Sequence, residues 1–80
     1  VSGGEPTEVE VRVAADGTVT PLRFTWRGTT LRVAGVGRRW SDEAGDHWMV
    51  MTTPPERVFE LLRTPEGLWR VSGGLRPAVA

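Results

Sequence analysis

Polar and apolar positions alternate along most of this chain with the two-residue period of a β-strand. Glu8-Val9-Glu10-Val11-Arg12-Val13 alternates strictly and predicts a strand with Val9, Val11 and Val13 inward. Leu22, Phe24 and Trp26 share one face of a second strand, and Leu31 and Val33 share one face of a third. These last two runs flank Gly28, which is the sequence form of a β-hairpin. A turn at Gly28-Thr29, with glycine first, would pair Trp26 with Leu31 and Phe24 with Val33. The opposite face of that hairpin would carry Arg23, Arg27 and Arg32. Its second strand is expected to continue through Ala34-Gly35-Val36-Gly37 to Trp40, with the glycines marking a bulge or a sharp bend.

Ser41 to Asp46 reads as a polar loop. His47 to Thr52 reads as a strand with Trp48 and Val50 on one face and Met49 and Met51 on the other. Apolar residues on both faces predict a central or covered strand. Thr53 to Arg63 admits two readings. Thr53-Pro54-Pro55-Glu56 resembles a capped helix start, and Val58, Leu61 and Leu62 fit helical spacing. The run is short, however, and turn signals bound it at Pro54-Pro55 and at Thr64-Pro65-Glu66-Gly67, which favours a strand over Val58–Leu62. Leu68 to Ser72 is the last predicted strand, ended by Gly73-Gly74. The expected fold is all-β: five or six short antiparallel strands in a meander, curled into an SH3-like barrel or a strongly bent sheet. One β domain over 8–73 is expected between flexible tails at 1–7 and 74–80.

Eighty residues make at most one thin-cored domain. There is no cysteine, so neither a disulfide nor a thiolate metal site can staple it, which is compatible with a cytoplasmic location. No apolar run approaches the roughly 18 residues of a membrane-spanning helix. The first residues show no basic-then-apolar leader pattern, so no signal peptide is expected in them.

Net charge is zero but unevenly spread. Arg23, Arg27, Arg32, Arg38 and Arg39 fall within residues 21–40 with no acid, while acids dominate the stretches on both sides. Such a block can mark an anionic partner, or it can be neutralised by neighbouring strands. Every basic residue is arginine, a choice that suits bidentate phosphate contacts but that a GC-rich genome also produces.

His47 is the only histidine, and Asp46 beside it should face the other way, so the two form no coupled pair. Asp42, Glu43 and Asp46 lack the spacing of a calcium loop, and the glycine pairs lack the lysine and helix of a phosphate loop. With no Cys, Lys or Tyr, and serines far from the histidine in sequence, no nucleophile–base set is visible and no enzyme is expected. No cofactor and no metal are expected. Trp40 beside Arg38 and Arg39 could stack on a nucleic-acid base or form a cation–π lid.

Pro21-x-x-Phe24-x-Trp26-Arg27-Gly28, then Leu31-Arg32-Val33 and Arg39-Trp40, resembles a small, uncharacterised bacterial family. Val58-Phe59-Glu60-Leu61 and Gly67-Leu68-Trp69 match its later segments, so the resemblance covers roughly residues 19–72. It implies a compact all-β unit with a strand at Val58. Some relatives look associated with translesion DNA polymerases, which implies a setting in DNA replication or repair.

Two functions follow. One is a nucleic-acid-binding accessory module, for DNA or RNA, using Arg23, Arg27, Arg32, Arg38, Arg39 and Trp40. The other is a protein-interaction or self-association module using a strand edge or the Met49/Met51 face. One continuous positive face would favour the first, and salt-bridged patches the second.

Overall fold

Every regular element among the described residues is a strand. The structure, a computed structural model, describes residues 4–54 and 56–75. The strands are β1 (Glu5–Thr7), β2 (Val9–Val13), β3 (Val19–Trp26), β4 (Thr29–Asp42), β5 (Gly45–Thr52), β6 (Arg57–Arg63) and β7 (Trp69–Leu75). All pair antiparallel in one sheet of order β1-β7-β6-β5-β4-β3-β2. No helix among the described residues is long and apolar enough to cross a membrane.

Strands β2 to β7 form the expected meander. The two edge strands, β1 and β2, are consecutive in sequence, separated only by Glu8. The sheet must therefore curl until its edges meet. Thr7 fastens the closure: its hydroxyl donates to the Thr25 carbonyl at 2.6 Å and accepts the Thr25 N–H at 3.1 Å. The strand number is seven rather than five or six because Glu5–Thr7, expected within a loose tail, pairs with Val71, Arg70 and Trp69. At the other end β7 runs through Leu75, past the glycines expected to stop it. The expectations for 1–3, Pro55 and 76–80 lie outside the described residues.

The central hairpin turns one residue earlier than expected. Arg27 (φ 50°) and Gly28 (φ 81°) are both left-handed, as a type I′ turn requires. The pairs are therefore Trp26 with Thr29, Phe24 with Leu31, and Arg23 with Arg32. A type I′ turn matches the twist of its strands, and that match outweighs the strain of an arginine at positive φ. The Arg27 guanidinium sits 4.5 Å from the Trp26 ring centroid and 3.6 Å from a Glu5 carboxylate oxygen.

Register shifts bend the strands. Glu10 pairs with Arg23 and Val11 with Pro21, so Leu22 is an extra residue. Alternation flips there, and Pro21 rather than Leu22 is buried. Strand β4 shifts at Val33/Gly35 and again at Val36/Arg39, the bend that its glycines predicted.

The core is Phe24, Leu31, Trp48, Val50, Phe59, Leu61 and Val71. Phe59 is its hub, meeting Phe24 and Trp26 edge-on with centroids 5.0 and 5.1 Å away. Phe59 and Leu61 point inward with a two-residue period, so β6 is a strand and the helical alternative for this segment does not form. Strand β5 is central, but its Met49/Met51 face stays exposed.

Phe59→Ala should cost about 3–5 kcal/mol, against a total stability of about 4–12 kcal/mol expected at this length. Trp26, half-buried under Arg27, should cost less on truncation. Urea midpoints check the order. Thr7→Val should cost about 1 kcal/mol by removing both hydroxyl bonds of the closure, read from the same midpoints.

Candidate functional site

The polar loop expected over 41–46 is a two-residue turn, Glu43-Ala44, because Asp42 pairs with Gly45 and the strands run up to it. Gly45 is required there: its φ is 136°, and a Cβ would collide with the Arg63 carbonyl. The short turn sets Trp40 directly across from His47, and their rings stack at 4.8 Å and 4°. His47 is buried, with Nδ1 2.7 Å from Glu60 Oε2 and Nε2 2.8 Å from Asp42 Oδ1.

A neutral imidazole has one N–H, so only the protonated ring can donate to both carboxylates. Burial pulls the His47 pKa down, but the bonds to Asp42 and Glu60 outweigh it and leave the pKa raised above 6.5. The His47 bond is also the main cause that lowers Asp42 below the usual carboxylate value. Both ring nitrogens are thus occupied, and the two carboxylates lie on opposite sides of the ring. The trio cannot converge on one cation, and no other group of three metal-ligating side chains occurs among the described residues. The cluster is a tie between the β4–β5 turn and β6.

Asp46 faces the other way, as expected. It accepts from Ser41 at 2.7 Å and from Arg63 at 2.9 Å, and these bonds, Ser41 first, hold its pKa below the usual value.

The six candidate residues of the basic block do not form one surface. Arg23 pairs with Glu10 at 2.7 Å, which offsets the like charge of Arg32 directly across the ladder. Arg27 lies at the hairpin turn with Glu5. Arg38 lies 4.9 Å from the Trp40 ring centroid. His47 stacks on one face of that indole, so the guanidinium occupies the other. Trp40 is a lid, over His47 rather than over the core. Arg39 pairs with Trp48 in register and faces the opposite side from Trp40, where it lies within electrostatic reach of Asp16 and Asp46. Among the described residues, Arg32, Arg38 and Arg39 make no ion pair.

Pairing between β3 and β4 stops at Arg32. Beyond it β4 bends away and pairs only with β5, while the first half of β3 pairs only with β2. A cleft of about 250 Å3 opens between them, lined by Val19, Pro21, Val36, Arg39 and Trp48. Trp48 forms its floor and donates its indole N–H across it to the Val19 carbonyl at 3.3 Å.

Sequence reasoning missed the His47 partners. A two-residue turn centred on Glu43-Ala44 would have placed Trp40 opposite His47, but Glu60 comes from a distant strand and no local pattern points to it.

A folded pKa above the unfolded value means that His47 adds stability fully below about pH 6.5 and loses it as pH rises through the folded pKa. Asp42 has the opposite sign: its contribution is present above about pH 3.8 and fades as pH falls through the lowered value. The His47 ring protons, followed by NMR, should titrate with a midpoint above 6.5. Glu60→Gln should lower that midpoint and flatten the loss of stability as pH rises above 6.5. An unchanged midpoint would show that the carboxylate does not hold the charge.

No curated protein and no solved structure matches the chain. A family model described as a domain of unknown function, DUF6504, matches residues 3–73. That match spans most of the sequence, and the chain belongs to the DUF6504 family.

Proposed function

We propose that this domain is a non-catalytic protein-interaction module. The observation that carries the reading is the β4 edge, which has a strand partner on one side only from Val33 to Asp42. Main-chain donors and acceptors on such an edge are open to another chain. Charge supports a protein partner over nucleic acid. Single-strand binders track the backbone with a continuous positive groove and stack bases on open aromatic faces. Here Glu10 and Glu5 offset two of the five arginines, Arg38 and Arg39 point to opposite sides, and Trp40 is covered on both faces. The side chain best suited to acid–base chemistry, His47, has both nitrogens engaged by carboxylates.

A second reading, the nucleic-acid-binding accessory module, draws on Arg32, Arg38 and Arg39, which have no ion-pair partner among the described residues. The resemblance of Pro21-x-x-Phe24-x-Trp26-Arg27-Gly28 to a family some of whose members look associated with translesion polymerases makes a replication or repair assembly the first setting in which to seek a protein partner.

The test is a salt titration of fluorescent oligonucleotides against wild type and Arg32→Gln/Arg38→Gln/Arg39→Gln, starting at about 20 mM salt, where screening is weak. The two proteins should bind equally weakly or not at all. A steep log–log salt dependence that the triple variant reduces would overturn this reading in favour of nucleic acid.

A further inference from the structure

We infer that the open β4 edge accepts an extended, acidic segment of a partner protein as an added strand. This rests on the interaction-module reading above and supplies its partner chemistry. Three features of the edge converge on that occupant.

The first is charge. The charged residues of β4 are Arg32, Arg38, Arg39 and, at its last position, Asp42, whose carboxylate is held by His47. The facing stretch of β3, Val19–Leu22, carries no charge, and the acids within electrostatic reach of Arg39, Asp16 and Asp46, make no ion pair with it. A second copy of this edge would bring the same arginines together and be repelled. A strand bearing carboxylates would be attracted, so the arginines both guard the edge and select its partner.

The second is access. Gly35 and Gly37 lie on β4 without left-handed backbone. A Cβ at Gly35 would meet nothing within 4 Å, and one at Gly37 only the Met49 carbonyl at 3.7 Å, an ordinary contact. Neither left-handed backbone nor crowding demands glycine at these positions, both of which lie where β4 shifts register. Six other glycines among the described residues do have positive φ. Glycine in a strand costs order and packing, and it admits close approach of another backbone.

The third is a side-chain pocket. Strand addition takes affinity from main-chain bonds and specificity from pockets that receive alternate side chains. The cleft beside the edge, walled by Val19, Pro21 and Val36 over Trp48, has room for one small apolar side chain. Val36, 39 % exposed, stands at its rim. The occupant is thus an extended segment with a small apolar residue flanked by Asp or Glu.

The test is selection of short random peptides, displayed on phage, against the intact 80-residue chain. Amide-shift mapping then follows the tightest peptide and, separately, an oligo-dT strand. The selected peptides should be enriched in Asp and Glu and should shift the amides of residues 34–41 and of Val19 and Thr20. Arg38→Glu/Arg39→Glu should weaken the peptide by about tenfold, or about 1.4 kcal/mol, with an unchanged urea midpoint. The same peptide with Lys in place of its acids should bind that variant better than wild type. The mapping on wild type stands even if the variant does not fold. Peptides without an acidic excess, or shifts confined to Met49 and Met51, would overturn the edge inference and leave the interaction module standing. If no peptide is enriched, whether or not oligo-dT shifts the arginine amides, both readings fall.

Discussion

One stretch of chain has to serve as both edges of the sheet. Glu5–Thr7 pairs with β7 and Val9–Val13 pairs with β3, with a single residue between them. A flat sheet would hold these segments far apart, so closure is obligatory once both ladders form. Closure gives the sheet an inside, and the inside is what a chain this short needs to exclude water from Phe24, Val50, Phe59, Leu61 and Val71. The Thr7 hydroxyl on the Thr25 main chain and the Arg27–Glu5 pair are the polar contacts across the seam.

Curling has a consequence at β4. This strand begins as a partner of β3 and ends as a partner of β5 alone, and it shifts register twice on the way. The sheet splits where β3 and β4 part. Trp48 fills the base of the split with its ring and bridges it with its indole N–H. The open edge proposed as a docking site is therefore a product of the same bending that builds the core, which places it next to the central strand β5.

Charge is used locally. Glu10 with Arg23, Asp46 with Arg63 and Glu5 with Arg27 each join neighbouring parts of the sheet. Exposed pairs of this kind contribute little apiece. The His47 cluster differs because its ring is buried and both nitrogens are satisfied, so it fixes the β4–β5 turn against β6 with defined geometry.

Period-two alternation together with turn residues determined the strand class, the inward faces of Phe24 and Trp26 in β3 and of Trp48 and Val50 in β5, the bend at Gly35 and Gly37, and the strand at Val58–Leu62, but not the flip that buries Pro21 in place of Leu22. These follow from local side-chain direction and from the length limits that turn residues impose. The W-R-G hairpin was legible too, but its register was not, since only the twist of the paired strands decides between a turn at Arg27-Gly28 and one at Gly28-Thr29. The tertiary structure alone decided that Glu5–Thr7 closes the sheet, because its partner lies at the far end of the chain. It alone brought Glu60 to His47 and separated Arg38 from Arg39. It alone left β4 open along one side. Each of these depends on which strand lies beside which, and pairing between distant strands is set by the summed burial of the whole core, not by any residue's immediate neighbours.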